Sequence, residues 1–152
     1  MTESAAPPRL DVRVTEMIQC PVEVVADYAS DPTHAPEWYA NISEVVWQTP
    51  RPLQVGTEVA FVARFLGREL RYTYAIVEHT PDSLVMCTAE GPFPMETGYR
   101  YESMPDGTTR MTLRNRGTPS GFSRLVVPFV KIAMSRATSK DLATLKQILE
   151  RA

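Results

Sequence analysis

The residues able to move protons are few and scattered. The chain has two histidines, His34 and His79, and neither belongs to an HExxH pair or a comparable cluster, so no metal centre and no cofactor are expected. Glu16 sits in LDVRVTEMI, where alternation puts Val12, Val14 and Ile18 on one face with Glu16 among them. A carboxylate in such surroundings needs a proton or an arginine partner, which makes Glu16 a candidate for acid–base work. His79 and Glu90 fall at the ends of strand-like runs, where a solvated end or an ion pair explains them as readily as catalysis does. No serine stands in a GxSxG elbow, and GRELR and GTTR are too short to cradle a phosphate. Arg64, Arg71, Arg100, Arg110 and Arg114 fall on the faces that alternation turns to water.

A second set of residues could hold a ligand without reacting with it. Trp38, Phe61, Phe65, Tyr72, Tyr74, Met86, Tyr99, Phe122 and Phe129 are large and soft. They either fill a core or line an apolar pocket. The tyrosines favour the pocket, because a buried phenol wants a hydrogen-bond partner that ligand or water can supply.

The elements that must position these residues follow from periodicity. Residues 10–18 alternate as a first strand. CPVEVVADYAS follows as a short helix, with Pro21 in its first turn and Val24, Val25 and Tyr28 as its stripe. Asp31–Pro32 opens a second short helix that carries His34 in its first turn and Trp38 a turn later. His34 is expected in solvent near the cap, and Trp38 at the sheet rim. Then come ISEVVW, TEVAFVARFL, ELRYTYAIVEH, SLVMCTAE, METGYRYES and TTRMTLRNR, separated by turns such as Gly67–Arg68, TPDS and PDG. From Phe122 to Arg151 the spacing predicts one long helix that Pro128 kinks or restarts, with Leu142, Leu145 and Leu149 on its apolar side. The fold class is therefore α+β, a seven-stranded antiparallel sheet wrapped around a long C-terminal helix. Such a sheet leaves a gap beneath the first half of the helix, near Phe122 to Ala133, roofed by the short helices.

CPVEVVADYASDPTHAPEWYANI, GTEVAF, GREL with IVEHTPDSLVM, EGPFP, GTTRMTL and DLATLKQILE occur in that order. In this the chain resembles the START-like superfamily of helix-grip proteins, in its polyketide cyclase/dehydrase (SRPBCC) branch, over about residues 10–151. The resemblance implies a cavity for lipid-like, polyketide-like or other apolar molecules. It carries over no catalytic residue.

The totals set the remaining bounds. The 152 residues suit a single domain at 10–152 behind a tail at 1–9. The net charge of −2 gives no footing for a nucleic acid, and LVVPFV is far too short to span a membrane. Cys20 and Cys87 make no CxxC pair and are expected as free thiols in a cytoplasmic protein, monomer or homodimer. Three functions fit these bounds: a carrier of a hydrophobic small molecule, a cyclase or dehydratase working by acid–base chemistry in the cavity, and a co-chaperone-like partner-binding protein.

Overall fold

A computed structural model describes residues 10–65, 67–91, 94–118 and 125–151, with the backbone alone at Phe65. The expected tail at 1–9 and Phe122 lie outside the described residues. The order is β1 (Leu10–Ile18), α1 (Val22–Ala29), a 3-10 turn (Pro32–His34) running into α2 (Ala35–Trp38), β2 (Ile42–Trp47), β3 (Glu58–Phe65), β4 (Arg68–Thr80), β5 (Ser83–Glu90), β6 (Met95–Ser103), β7 (Thr109–Gly117) and α3 (Val127–Arg151).

The seven strands form one antiparallel sheet in the order β1-β7-β6-β5-β4-β3-β2. Every link from β2 to β7 is a hairpin, as short turns between alternating runs require. Gly67 holds φ +76 where β3 returns as β4, a conformation that a side chain resists. The first and last strands in the order, β1 and β2, are joined through α1 and α2, so these short helices run from one edge of the sheet to the other.

α3 begins later than the periodicity suggests. Leu125 and Val126 form a turn, and the helix starts at Val127. Pro128 therefore stands in its first turn, where its missing N–H costs nothing. Val130 and Met134 pack on Leu10 and Val12 of β1, while Leu142, Leu145 and Leu149 enter the main core with Ile18, Trp38, Ile76, Leu84, Tyr99, Tyr101 and Met111. The outward arginines pair across strands: Arg110 with Glu102 at 2.8 Å, and Arg114 with both carboxylate oxygens of Asp11 at 2.9 and 2.6 Å. Cys20 and Cys87 are free and partly buried, and the Cys20 thiol donates to the Leu149 carbonyl.

Candidate functional site

Register decides which residues face α3. Directly paired residues share a face, so the ladders place Phe61, Tyr72, Tyr74, Ile76, Met86, Thr88, Thr97, Tyr99, Tyr101, Met111, Leu113 and Asn115 together on the concave side. Burial along this face is uneven. Ile76, Leu84, Tyr101 and Met111, toward the end of α3, are sealed. Leu70, Tyr72, Tyr74, Thr88 and Asn115, toward its start, keep partial access to water. The cause is the path of α3. Its first half lies along β1 and covers Leu10 and Val12; among the described residues α3 makes at most sparse contact with the β4–β5 portion of the same end.

Backbone approaches closely at this part-exposed end. A Cβ at Gly91 would lie 2.6 Å from the Tyr72 ring. Gly91→Ala is expected to push that ring aside at a loss of about 1–3 kcal/mol, read by urea unfolding; an unchanged midpoint would mean that the ring is not fixed.

Deeper in, phenols pair with one another. The Tyr39 and Tyr99 hydroxyls share a hydrogen bond. The Tyr101 hydroxyl meets that of Ser30 at 2.7 Å. Tyr74 bonds to Thr97, which donates to Asn115 Oδ1 at 2.7 Å. Burial holds all these phenols neutral, with Tyr74 pushed up to about 12 and Tyr39, Tyr99 and Tyr101 higher still. Trp38 is 1% exposed, and its ring lies 4.1 Å from that of Tyr39 and 5.7 Å from that of Tyr99. Among the described residues its indole N–H has no acceptor.

Asp141 is the buried ionisable group beside this cluster. It is 4% exposed, and its Oδ1 accepts from the Ala40 N–H at 3.0 Å, tying the end of α2 to α3. Burial pushes its carboxyl up to about 6, against the pull of the Ala40 N–H and of Lys140.

The sequence candidates divide accordingly. Trp38, Phe61, Met86 and Tyr99 are core residues of the concave face, and Tyr72 and Tyr74 stand at its open end. Phe129 is 72% exposed and shares a face of α3 with the exposed Ile132, away from Val127, Val130 and Met134, so it does not join them. Glu16 pairs with Met111 on the inward face, and among the described residues its carboxylate accepts only from the N–H of Met17, at 3.0 Å. His79 and Glu90 are exposed, at opposite ends of the β4–β5 hairpin. Six residues of strand separate their levels, roughly 20 Å, so the three acid–base candidates do not converge. His34 is not free in solvent: it stacks on Tyr28 at 4.2 Å and bonds Glu37 at 2.9 Å. Asp141 and Tyr39 are missing from the sequence candidates. Asp141 interrupts the stripe Ala137, Leu145, Leu149 at helical spacing, and that is a readable signal.

A separate cleft of about 680 Å³ opens on the outside of α1, between Ala26, Asp27 and Ser30, the loop at Arg51–Leu53, Trp47 and the turn at His79–Pro81. None of the described aromatic and methionine candidates lines it. Among the described residues no group of three His, Cys, Asp or Glu could hold a metal ion, and no helix is long and apolar enough to cross a membrane.

Known proteins share this fold. Residues 9–150 match the family described as polyketide cyclase / dehydrase and lipid transport. Among solved structures, a protein from Thermus thermophilus superposes with a TM-score of 0.80 at 19% identity, covering 93% of this chain and 97% of its own. A START superfamily protein from Mycobacterium smegmatis gives 0.79 at 12% identity, covering 93% and 97%. An aromatase/cyclase from Streptomyces sp. R1128 gives 0.79 at 13% identity, covering 95% of each chain. No curated protein matches by sequence. At these identities the likeness is one of fold, and it agrees with the seven strands, the two short helices and the long last helix.

Proposed function

The chain belongs to the polyketide cyclase/dehydrase and lipid transport family, and from that premise we propose that it is a binding protein for a hydrophobic small molecule held between the sheet and the first half of α3. The observation that carries this reading is the part-exposed end of the concave face. Leu70, Tyr72, Tyr74, Thr88 and Asn115 point inward by register yet keep partial access to water. An apolar ligand there would bury surface worth about 25 cal/mol per Å². The outer cleft is rimmed by Glu23, Asp27, Asp31, Arg51 and His79, around a lining that includes Trp47, Pro52 and Leu53.

An enzyme would need at least two ionisable groups converging on one ligand. Glu16, His79 and Glu90 stand apart, and the interior offers Asp141 beside neutral phenols. This balance favours a carrier over a cyclase or dehydratase. The partner-binding reading has one observation of its own, the exposed Leu125, Phe129 and Ile132.

The test is a titration with N-phenyl-1-naphthylamine, a neutral apolar fluorophore. Its emission is expected to rise and saturate at one molecule per chain, and larger hydrocarbons to displace it. Tyr72→Phe is expected to leave the probe bound, since the probe makes no use of the hydroxyl. A protein that binds no neutral apolar probe is not a carrier, and the stripe on α3 then becomes the surface to pursue.

A further inference from the structure

The first turns of α3 are apolar on two sides. One side is used by the fold: Val127 and Val130 are buried, and Val130 and Met134 pack on β1. The other side carries Phe129 and Ile132, both exposed, and the turn before the helix adds Leu125, 83% exposed, and Val126. Eight large hydrophobic residues are exposed among those described, and these four fall within eight positions of chain. Scattered exposed side chains need no explanation, but a contiguous group does. None of the four lines the outer cleft, so the group forms a projecting tip and not part of that recess.

The same stretch is basic. Between Asp106 and Asp141 the sequence has no Asp or Glu, whereas α3 carries Lys131, Arg136 and Lys140 before Asp141 is reached. All three cations are exposed, and among the described residues they form no ion pair. Asp141 itself is turned inward, to the Ala40 N–H. Steps of three, four and four residues put Phe129, Ile132, Arg136 and Lys140 along one line of the helix surface. With a rise of about 1.5 Å per residue, Arg136 stands about 6 Å and Lys140 about 12 Å behind Ile132 along the axis. The apolar tip thus has cations one and two turns behind it.

We propose that the start of α3 docks on an anionic lipid surface. The tip side chains enter the boundary between headgroups and acyl chains, to a depth of about 5–10 Å. Arg136 and Lys140 then stand at the level of the lipid phosphates, where each cation adds about fivefold to the affinity. A second copy of the chain fits this face less well, because a twofold contact sets the same unpaired cations against each other. Docking does not depend on interior binding, and a chain that takes up no apolar probe would still dock.

The experiment sediments the protein with sucrose-loaded vesicles of phosphatidylcholine, with and without phosphatidylglycerol. The chain carries a net charge of −2, so a gain from anionic lipid must come from a local face. Wild type is expected to bind the phosphatidylglycerol vesicles, and those of phosphatidylcholine alone about 10-fold more weakly or less still. Arg136→Gln with Lys140→Gln is expected to lower the affinity for the anionic vesicles about 20- to 30-fold. Phe129→Ser with Ile132→Ser is expected to lower it by about 10-fold or more. Arg13→Gln with Arg100→Gln removes as much charge from the outer face of the sheet, and is expected to change it by no more than about twofold. If the serine variant does not fold, the Arg136 and Lys140 variant decides alone. No binding to the phosphatidylglycerol vesicles, equal binding to both kinds, or an equal loss in the Arg13 and Arg100 variant would overturn the proposal. So would a dimer, seen by sedimentation equilibrium without lipid, that Phe129→Ser with Ile132→Ser abolishes, since a second copy then covers the face. Titration with N-phenyl-1-naphthylamine in the absence of vesicles tests interior binding separately, so either reading can fail without the other.

Discussion

Leu145→Ala is expected to destabilise the protein by about 2–5 kcal/mol, the cost of a methylene cavity in a core that cannot collapse around it. Leu145 is fully buried, one turn from Leu142 and one from Leu149, in the cluster that joins α3 to Ile18, Trp38 and Met111. That cluster is the grip itself, so the loss would fall on the contact between helix and sheet. Urea unfolding is the measurement, with the midpoint falling and the slope unchanged. Phe129→Ala on the same helix is the control. Phe129 is exposed, and its loss is expected to stay within about 0.5 kcal/mol. A Leu145 effect as small as the control's would mean that α3 does not pack on the sheet.

Asp141→Asn is expected to act in the opposite direction, and only above acidic pH. Burial raises the Asp141 carboxyl from 3.8 to about 6. Near pH 3 the carboxyl is protonated in folded and unfolded chains alike, and its contribution is fully present. As pH rises through about 4 and then 6, the unfolded chain ionises first, and that stability is lost. A shift of about two units corresponds to roughly 3 kcal/mol. Asparagine keeps an oxygen for the Ala40 N–H at the same place and has no proton to lose. The variant is therefore expected to match the wild type near pH 4 and to exceed its stability at pH 8, by up to roughly 3 kcal/mol. Unfolding curves at the two pH values decide the matter, and a stability difference independent of pH would contradict a buried carboxyl. A group kept at such a cost beside Tyr39 is the sort found at working sites.

Much of this molecule is legible in its sequence because its strands alternate cleanly and its turns carry Gly67 and Gly107 at positive φ. The stripe of Leu142, Leu145 and Leu149 likewise announces a helix that must be covered. Harder to read is anything that depends on how far α3 covers the sheet. Phe129 has the composition of a pocket residue, but helical spacing turns it away from Val127 and Val130. Trp38, expected at the rim, is sealed in the core, because α2 is only one turn long and drops its last side chain inward. His34 looks like a solvated cap residue, yet Tyr28 and Glu37 hold it through neighbours that only the fold brings together. The pairing of Tyr39 with Tyr99 spans 60 residues of chain, and no local pattern encodes it.

The central claim is that an apolar molecule sits against the concave face at its part-exposed end. Intermolecular nuclear Overhauser effects between N-phenyl-1-naphthylamine and the protein's aromatic protons test it most directly. Cross-peaks are expected from the probe to the rings of Tyr72 and Tyr74. Cross-peaks to Trp47 and Leu53 of the outer cleft instead, with none to Tyr72 or Tyr74, would contradict it.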